Sequence, residues 1–172
     1  FLHLVGGDSK AYEYVLDWFA LPLQKIRNRV DPEVSPYKMG TALVFRGDPG
    51  AGKGTAMNII SLCYGLHNRV VLGQDDLDGR FHSNLVEKLF VICNEVMSGS
   101  NRSVHTANKL KSWITDDEVP CEAKYGDAGM MKNNFNIVFT SNDDRPVIIE
   151  KGDRRYSVFQ SAAVSKKIIQ PV

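Results

Sequence analysis

The sequence predicts an α/β fold with a largely parallel central sheet flanked by helices. Short apolar runs such as TALVF, KLFVIC and NIVF read as strands buried on both faces. Segments with apolar residues at helical spacing fall between them. A glycine-rich turn, GDPGAGKGT at 47–55, joins one such strand directly to one such helix. At 172 residues, 43% hydrophobic and 24% charged, the chain fits one globular domain, 1–172, with a helical lead-in over 1–40 and a core over 41–160.

Ser9 is the candidate N-cap of a first helix in which Tyr12, Val15, Leu16 and Phe19 share a face. Pro22 is expected to end or bend that helix. The linker RVDPEVSPYKMG leads into the strand TALVFRG and the glycine-rich turn. Met57, Ile60 and Leu62 then mark a helix that stops near Gly65, and RVVLG reads as a second short strand. A helix is expected through FHSNLVEK. In KLFVICNE, five apolar residues in a row end at Asn94 and Glu95, the pattern of a buried strand running into a loop. SGSNRS reads as a flexible connector and VHTANKLKSWI as a helix ending near Thr115. EVPCEAKYGDAGMMKNNFNIVF reads as two extended runs around a Gly-containing turn, the second continuing into the buried strand NIVF. TSN ends that strand, EKGDRR forms a charged loop, and YSVFQ is a last strand.

The net charge of +1 neither supports nor excludes a nucleic-acid partner, because a small basic surface suffices. Cys63, Cys93 and Cys121 are odd in number and form no CxxC pair, which argues against a disulfide framework and for a reducing compartment. His3, His67, His82 and His105 show no metal-ligand spacing. No apolar run approaches the roughly 18 residues of a membrane span, and no charged, hydrophobic leader is seen. A chain that begins at Phe1 is expected to be a segment of a larger protein.

Gly47, Gly52 and Lys53 fit the G-x-x-x-x-G-K pattern in its proper setting, strand before and helix after. In such a turn the backbone N–H groups of Gly47, Asp48, Pro49 to Gly52, Lys53, Gly54 and Thr55, proline excepted, are available to phosphates, and the lysine reaches the outer ones. Gly54 stands where a magnesium-binding Ser or Thr is expected, so either the Thr55 hydroxyl serves or the ion is held through water and acids elsewhere. Glu95, at a strand's C-terminal end, is the candidate to polarise an attacking water; taken alone it would read as an exposed strand-end carboxylate. Asn94 stands in the place of a metal-holding Asp and offers hydrogen bonding without charge. Thr140, Ser141 and Asn142 are delivered to the same edge, with Asn142 as the candidate contact to phosphate or water; by itself TSN is also an ordinary turn opening. Arg154 and Arg155 precede a strand and either assist hydrolysis in a neighbouring subunit or pair with Asp143, Asp144 or Asp153 on the surface.

With these elements in hand, the chain resembles the superfamily 3 helicases, most closely the helicase part of phage and plasmid primase-helicase proteins, from about Tyr14 to Phe159. The motifs are GDPGAGKGT for Walker A, KLFVICNE for Walker B, LKSWITDDEVPCEAKYG for B-prime, IVFTSN for motif C and DRRYSVF for the arginine finger. The resemblance implies a P-loop NTPase core of AAA+ type with a B-prime hairpin, assembled as a homo-oligomeric ring, usually a hexamer. It implies ATP and Mg2+ as cofactors, held between subunits, and hydrolysis that moves single-stranded or forked DNA through a pore. On this reading Lys124 and Tyr125 match the basic and aromatic hairpin tip, where a cation meets backbone phosphate and a ring stacks on a base. Lys111 and Lys132 are weaker DNA-binding candidates that also read as solvated lysines. Arg155, directly before Tyr156, is the marginal choice of finger over Arg154. The resemblance also implies an N-terminal primase or polymerase domain in the full-length protein, no membrane partner, and a cytoplasmic location, that of the host cell if phage-encoded.

Two readings of other classes compete with an ATP-driven DNA helicase motor. One is a P-loop phosphotransferase acting on a small molecule, which leaves TSN and the late arginines without a role. The other is a nucleotide-gated scaffold with little turnover, which Asn94 and Gly54 favour.

Overall fold

The computed structural model describes residues 1–27, 38–79, 82–95, 104–122, 128–143, 147, 149–150 and 152–162. A short 3-10 turn (Leu2–Val5) precedes α1 (Ser9–Arg27), β1 (Ala42–Arg46), α2 (Lys53–Tyr64), β2 (Arg69–Leu72) and α3 (Gln74–Asp78). There follow β3 (Phe90–Cys93), α4 (Val104–Thr115), β4 (Glu118–Glu122), β5 (Ala128–Lys132), β6 (Asn136–Ser141) and β7 (Tyr156–Gln160). Five strands form one sheet in the order β2-β3-β6-β1-β7, and every neighbouring pair is parallel. β4 and β5 form a separate antiparallel hairpin.

Strand alternation divides the core between the two faces of the sheet. Ala42, Val44, Val91, Cys93, Ile137 and Phe139 face a layer that includes Leu110, Trp113 and Ile114 of α4. Leu43, Phe45, Phe90, Ile92 and Val138 face the opposite layer, built from α1, α2 and the leading 3-10 turn. Burial on both faces is why these runs carry no polar alternation in the sequence.

Several local expectations are corrected. The α1 cap is Asp8 rather than Ser9: its carboxylate accepts from the N–H groups of Lys10 and Ala11 at 2.8 and 3.1 Å. Pro22 does not end α1, which runs on to Arg27, because Val15, Trp18 and Phe19 pack that helix on the sheet and outweigh one lost backbone bond. Leu16 and Leu62 are exposed, whereas Trp18 is buried with its indole N–H on the Thr41 hydroxyl. Of the helix expected through FHSNLVEK, the described residues 82–88 form a 3-10 turn at Ser83–Leu85 and no α-helix. The run expected to continue into NIVF breaks after Lys132, where Asn133 is buried and donates to the carbonyls of Trp113 and Asp116, so β5 and β6 belong to different sheets. The connector SGSNRS lies outside the described residues.

Lys38 crosses beneath α4. Its ammonium donates to the carbonyls of Trp113 and Phe135 and sits 4.8 Å from the Phe135 ring centroid. It thereby satisfies a carbonyl near the helix C-terminus that has no partner within the helix. Burial pushes its pKa down to about 7, against the opposing pull of Asp116 and Asp117. Between about pH 7 and 10.5 the unfolded chain therefore carries a proton that the folded chain lacks, so stability rises with pH through that window. Relative to Lys38→Met, the parent protein is expected to gain up to about 1.4 kcal/mol per pH unit from pH 7 to 10. Urea denaturation of both proteins across that range measures the difference, and a flat one would mean an ordinary lysine.

Candidate functional site

Because β1, β3 and β6 are parallel neighbours, the chain leaves all of them at the same edge of the sheet. β1 runs into the glycine-rich turn, β3 into Asn94 and Glu95, and β6 into Asn142. Together they enclose a cleft of about 560 Å³ lined by Pro49 to Thr55, Asn94, Glu95 and Thr140 to Asn142. Clefts at the carboxyl ends of parallel strands are the usual ligand sites of open α/β sheets.

Lys53, the first residue of α2, is buried in this cleft at 6% exposure. Its ammonium donates to the carbonyls of Gly47 and Asp48 at 2.8 and 2.9 Å and to Asn142 Oδ1 at 3.0 Å. These partners are all neutral. Burial lowers the lysine's pKa, and the Asp48 carboxylate only partly opposes it. Beside it the Thr140 hydroxyl donates to Asn94 Oδ1 at 2.9 Å, tying β6 to β3. Glu95 is exposed at the cleft and holds φ 53, a left-handed conformation that costs a non-glycine residue about 1–2 kcal/mol.

The turn needs its glycines for different reasons. Gly50 and Gly52 have φ 83 and 79, which side-chain-bearing residues rarely adopt. Gly47, at φ 144, is also crowded: a Cβ there would meet Ser161 Cβ at 3.0 Å, in the segment after β7. Gly54 has an ordinary φ, and a Cβ would meet nothing within 4 Å, so the space for a hydroxyl side chain is present although the hydroxyl is not. Gly47 and Asp48 turn their carbonyls to Lys53 rather than lining the cleft. Thr55 is exposed and lines it. Among the described residues no group of three or more His, Cys, Asp or Glu could hold a metal ion. Thr55, Asn94 and Glu95, the expected donors to one, all line the cleft.

The remaining expected residues that the structure describes lie elsewhere. Arg154 and Arg155 precede β7, whose Tyr156 pairs with Ala42, so they sit at the opposite edge of the sheet, about 15 Å from the cleft by strand rise. Arg155 is held by Asp153 at 3.1 Å, whereas Arg154 is exposed. Lys111, on α4, pairs with Glu150 at 2.6 Å, and Lys132 is exposed at the base of the β4–β5 hairpin. Lys124 and Tyr125 lie outside the described residues. Sequence reasoning missed His3, whose ring bonds the Ala51 carbonyl across 48 positions. No spacing pattern could reveal a contact of that range. Among the described residues no helix is long and apolar enough to cross a membrane.

A profile described as a family of unknown function (DUF5906) matches residues 45–155. The chain is 31% identical over 169 residues to a DNA primase-polymerase of Nitratiruptor phage NrS-1, covering 96% of this chain and 22% of that protein. Two apo structures of the NrS-1 C-terminal region align with TM-scores of 0.79 and 0.76, each at 30% identity. They cover 93% and 96% of this chain, which spans 36% of each of theirs.

The glycine geometry gives paired expectations. Gly47→Ala is expected to destabilise the protein by about 1–3 kcal/mol through strain and collision. Gly54→Ala, inside α2 with open space around it, is expected to stabilise it by up to about 1 kcal/mol. Denaturant midpoints of the two variants against the parent check both signs.

Proposed function

The chain belongs to the DUF5906 family, and on that premise we propose that it is the ATP-dependent motor of a phage-type DNA replication protein. On this reading its turn at 47–55 takes the phosphates of ATP, and hydrolysis drives movement along single-stranded DNA. The observation that carries the reading is the Lys53 environment: a buried ammonium whose described hydrogen-bond partners are all neutral, in an open cleft, hydrogen-bonded to Asn142 and facing the strand end that bears Glu95. A desolvated cation that hydrogen-bonds only neutral groups, with its burial only partly offset by the Asp48 carboxylate, is poised for an anion, and the left-handed glycines fit a turn that wraps phosphate.

Support also comes from the strand order. A glycine-rich turn after β1, a carboxylate after β3 and an asparagine after the intervening β6 share one end of the sheet, which supports the nucleotide site expected from the resemblance to superfamily 3 helicases. In the proposed mechanism Lys53 exchanges its carbonyl partners for phosphate oxygens, Glu95 takes the proton of the attacking water, and Asn142 orients that water. Thr55 and Glu95, with Asn94 acting through water, would hold Mg2+, which would supply charge neutralisation.

Arg154 and Arg155 lie too far from their own chain's cleft to serve it, so the reading requires a neighbouring copy, as in a hexameric ring. Arg154 is the proposed finger because Arg155 is occupied by Asp153. The β4–β5 hairpin is the proposed DNA contact, through Lys124 and Tyr125 in its connection, with Lys132 at its base. The NrS-1 relative is a DNA primase-polymerase whose C-terminal region resembles this chain, which supports a primase or polymerase domain elsewhere in the same polypeptide.

Steady-state ATP hydrolysis by the full-length protein, with and without single-stranded DNA, tests the motor. Lys53→Ala is expected to abolish the activity, and normal turnover in that variant would sink the nucleotide site. Glu95→Gln is expected to slow turnover at least about 100-fold while ATP still binds. A small effect there would remove Glu95 from the chemistry, whereas an assembled parent that turns over little ATP would favour the scaffold reading, to which Asn94 and Gly54 lend weight.

Arg154→Ala is expected to lower hydrolysis by about 10³-fold. Mixing it with Lys53→Ala subunits is expected to restore part of the activity, because the mixed interface joins an intact cleft to an intact arginine. Absence of rescue would remove the arginine from the neighbour's site.

A further inference from the structure

The glycine-rich turn is braced from behind by residues that the proposed mechanism does not use. Leu4 and Val5 of the leading 3-10 turn are buried in the α1–α2 core layer, which anchors that turn beside the cleft. His3 Nε2 then lies 2.8 Å from the Ala51 carbonyl oxygen. A carbonyl only accepts, so Nε2 carries the hydrogen. The His3 carbonyl accepts in turn from the Ala162 N–H at 2.8 Å, and Gly6, at φ 69, passes close to the Gln160 carbonyl. Segments from the start and the end of the described chain thus close around the turn.

The peptide that His3 holds is the soft one. Gly52 has φ 79 and, as a glycine, tolerates either sign of φ, so the Ala51–Gly52 peptide can rotate at little steric cost. In a planar trans peptide the C=O and the following N–H point in opposite directions, so fixing the Ala51 oxygen also fixes the Gly52 N–H. That N–H belongs to a residue lining the cleft, one position before Lys53. We infer that His3 is a positioning residue that holds the Ala51–Gly52 peptide in its anion-binding orientation, an inference that rests on the nucleotide-site reading of the cleft. Its role is to keep the turn preformed, so that a phosphate meets an oriented donor rather than ordering one on arrival.

The test compares His3→Gln, which keeps an N–H donor at similar reach, with His3→Phe, which keeps a ring and loses the donor. Both are made in the full-length protein, with Lys53→Ala as the control and a fluorescent ADP analogue as the probe. His3→Phe is expected to weaken ADP binding about two- to tenfold, the worth of one hydrogen bond, with His3→Gln within about twofold of the parent. Equal losses in the two variants, or none in either, would overturn the positioning role. If the parent does not bind ADP, or Lys53→Ala binds it normally, the nucleotide reading itself fails. Amide hydrogen exchange without ligand decides the positioning role independently: His3→Phe is expected to speed exchange at 50–55, with His3→Gln like the parent, and unchanged exchange in His3→Phe would overturn the brace.

Discussion

Parallel pairing of β1 with β6 and of β6 with β3 is the constraint on which the rest depends. Parallel strands need covered faces, which α1, α2 and α4 supply, and they deliver every C-terminal end to one edge. The register keeps those ends nearly level, with Cys93 opposite Phe139 and Phe45 opposite Thr140. That is why a hydroxyl on β6 can reach Asn94 after β3, and an ammonium on α2 can reach Asn142 after β6. The parallel pairing of β7 with β1 likewise carries Arg154 and Arg155, ahead of β7, to the far edge. Parallel pairing throughout the sheet therefore gathers the cleft and excludes the arginines from it, and the proposed motor is complete only between two copies.

Two lysines, Lys53 buried and Lys38 half-buried, show how environment separates structural from site roles. Burial lowers the pKa of each. Lys38 is met by carbonyls, including one near the C-terminal end of α4, by the face of Phe135 and by the field of Asp116 and Asp117. Its surroundings complete it. Lys53 is met by two carbonyls and an amide in a cleft open to solvent, and the Asp48 carboxylate offsets its burial only in part, so its surroundings leave a charge to be answered. Glu95, in a left-handed conformation at the same cleft, adds local backbone strain of the kind that gathers at functional sites.

The strands, the glycine-rich turn and the order of cleft residues were legible in the sequence because each depends on neighbouring residues alone. Apolar runs mark burial on both faces, and G-x-x-x-x-G-K marks a phosphate-type turn between strand and helix. Expectations failed where distant contacts outweighed local preference. Packing of Val15, Trp18 and Phe19 carries α1 through Pro22, and Asp8 rather than Ser9 caps it. Buried Asn133, bonding back to α4, separates β5 from β6 where the chain reads as continuous.

By itself the sequence determined that Lys53, Glu95 and Asn142 follow strands or turns able to carry them, because residue type and spacing act over a few positions. Only the tertiary structure decided that these side chains share one cleft, that Arg155 is held by Asp153 while Arg154 stands exposed, and that His3 meets Ala51. Those outcomes depend on strand order, register and the close approach of segments 48 to 89 residues apart, distances over which a linear pattern carries no geometric signal.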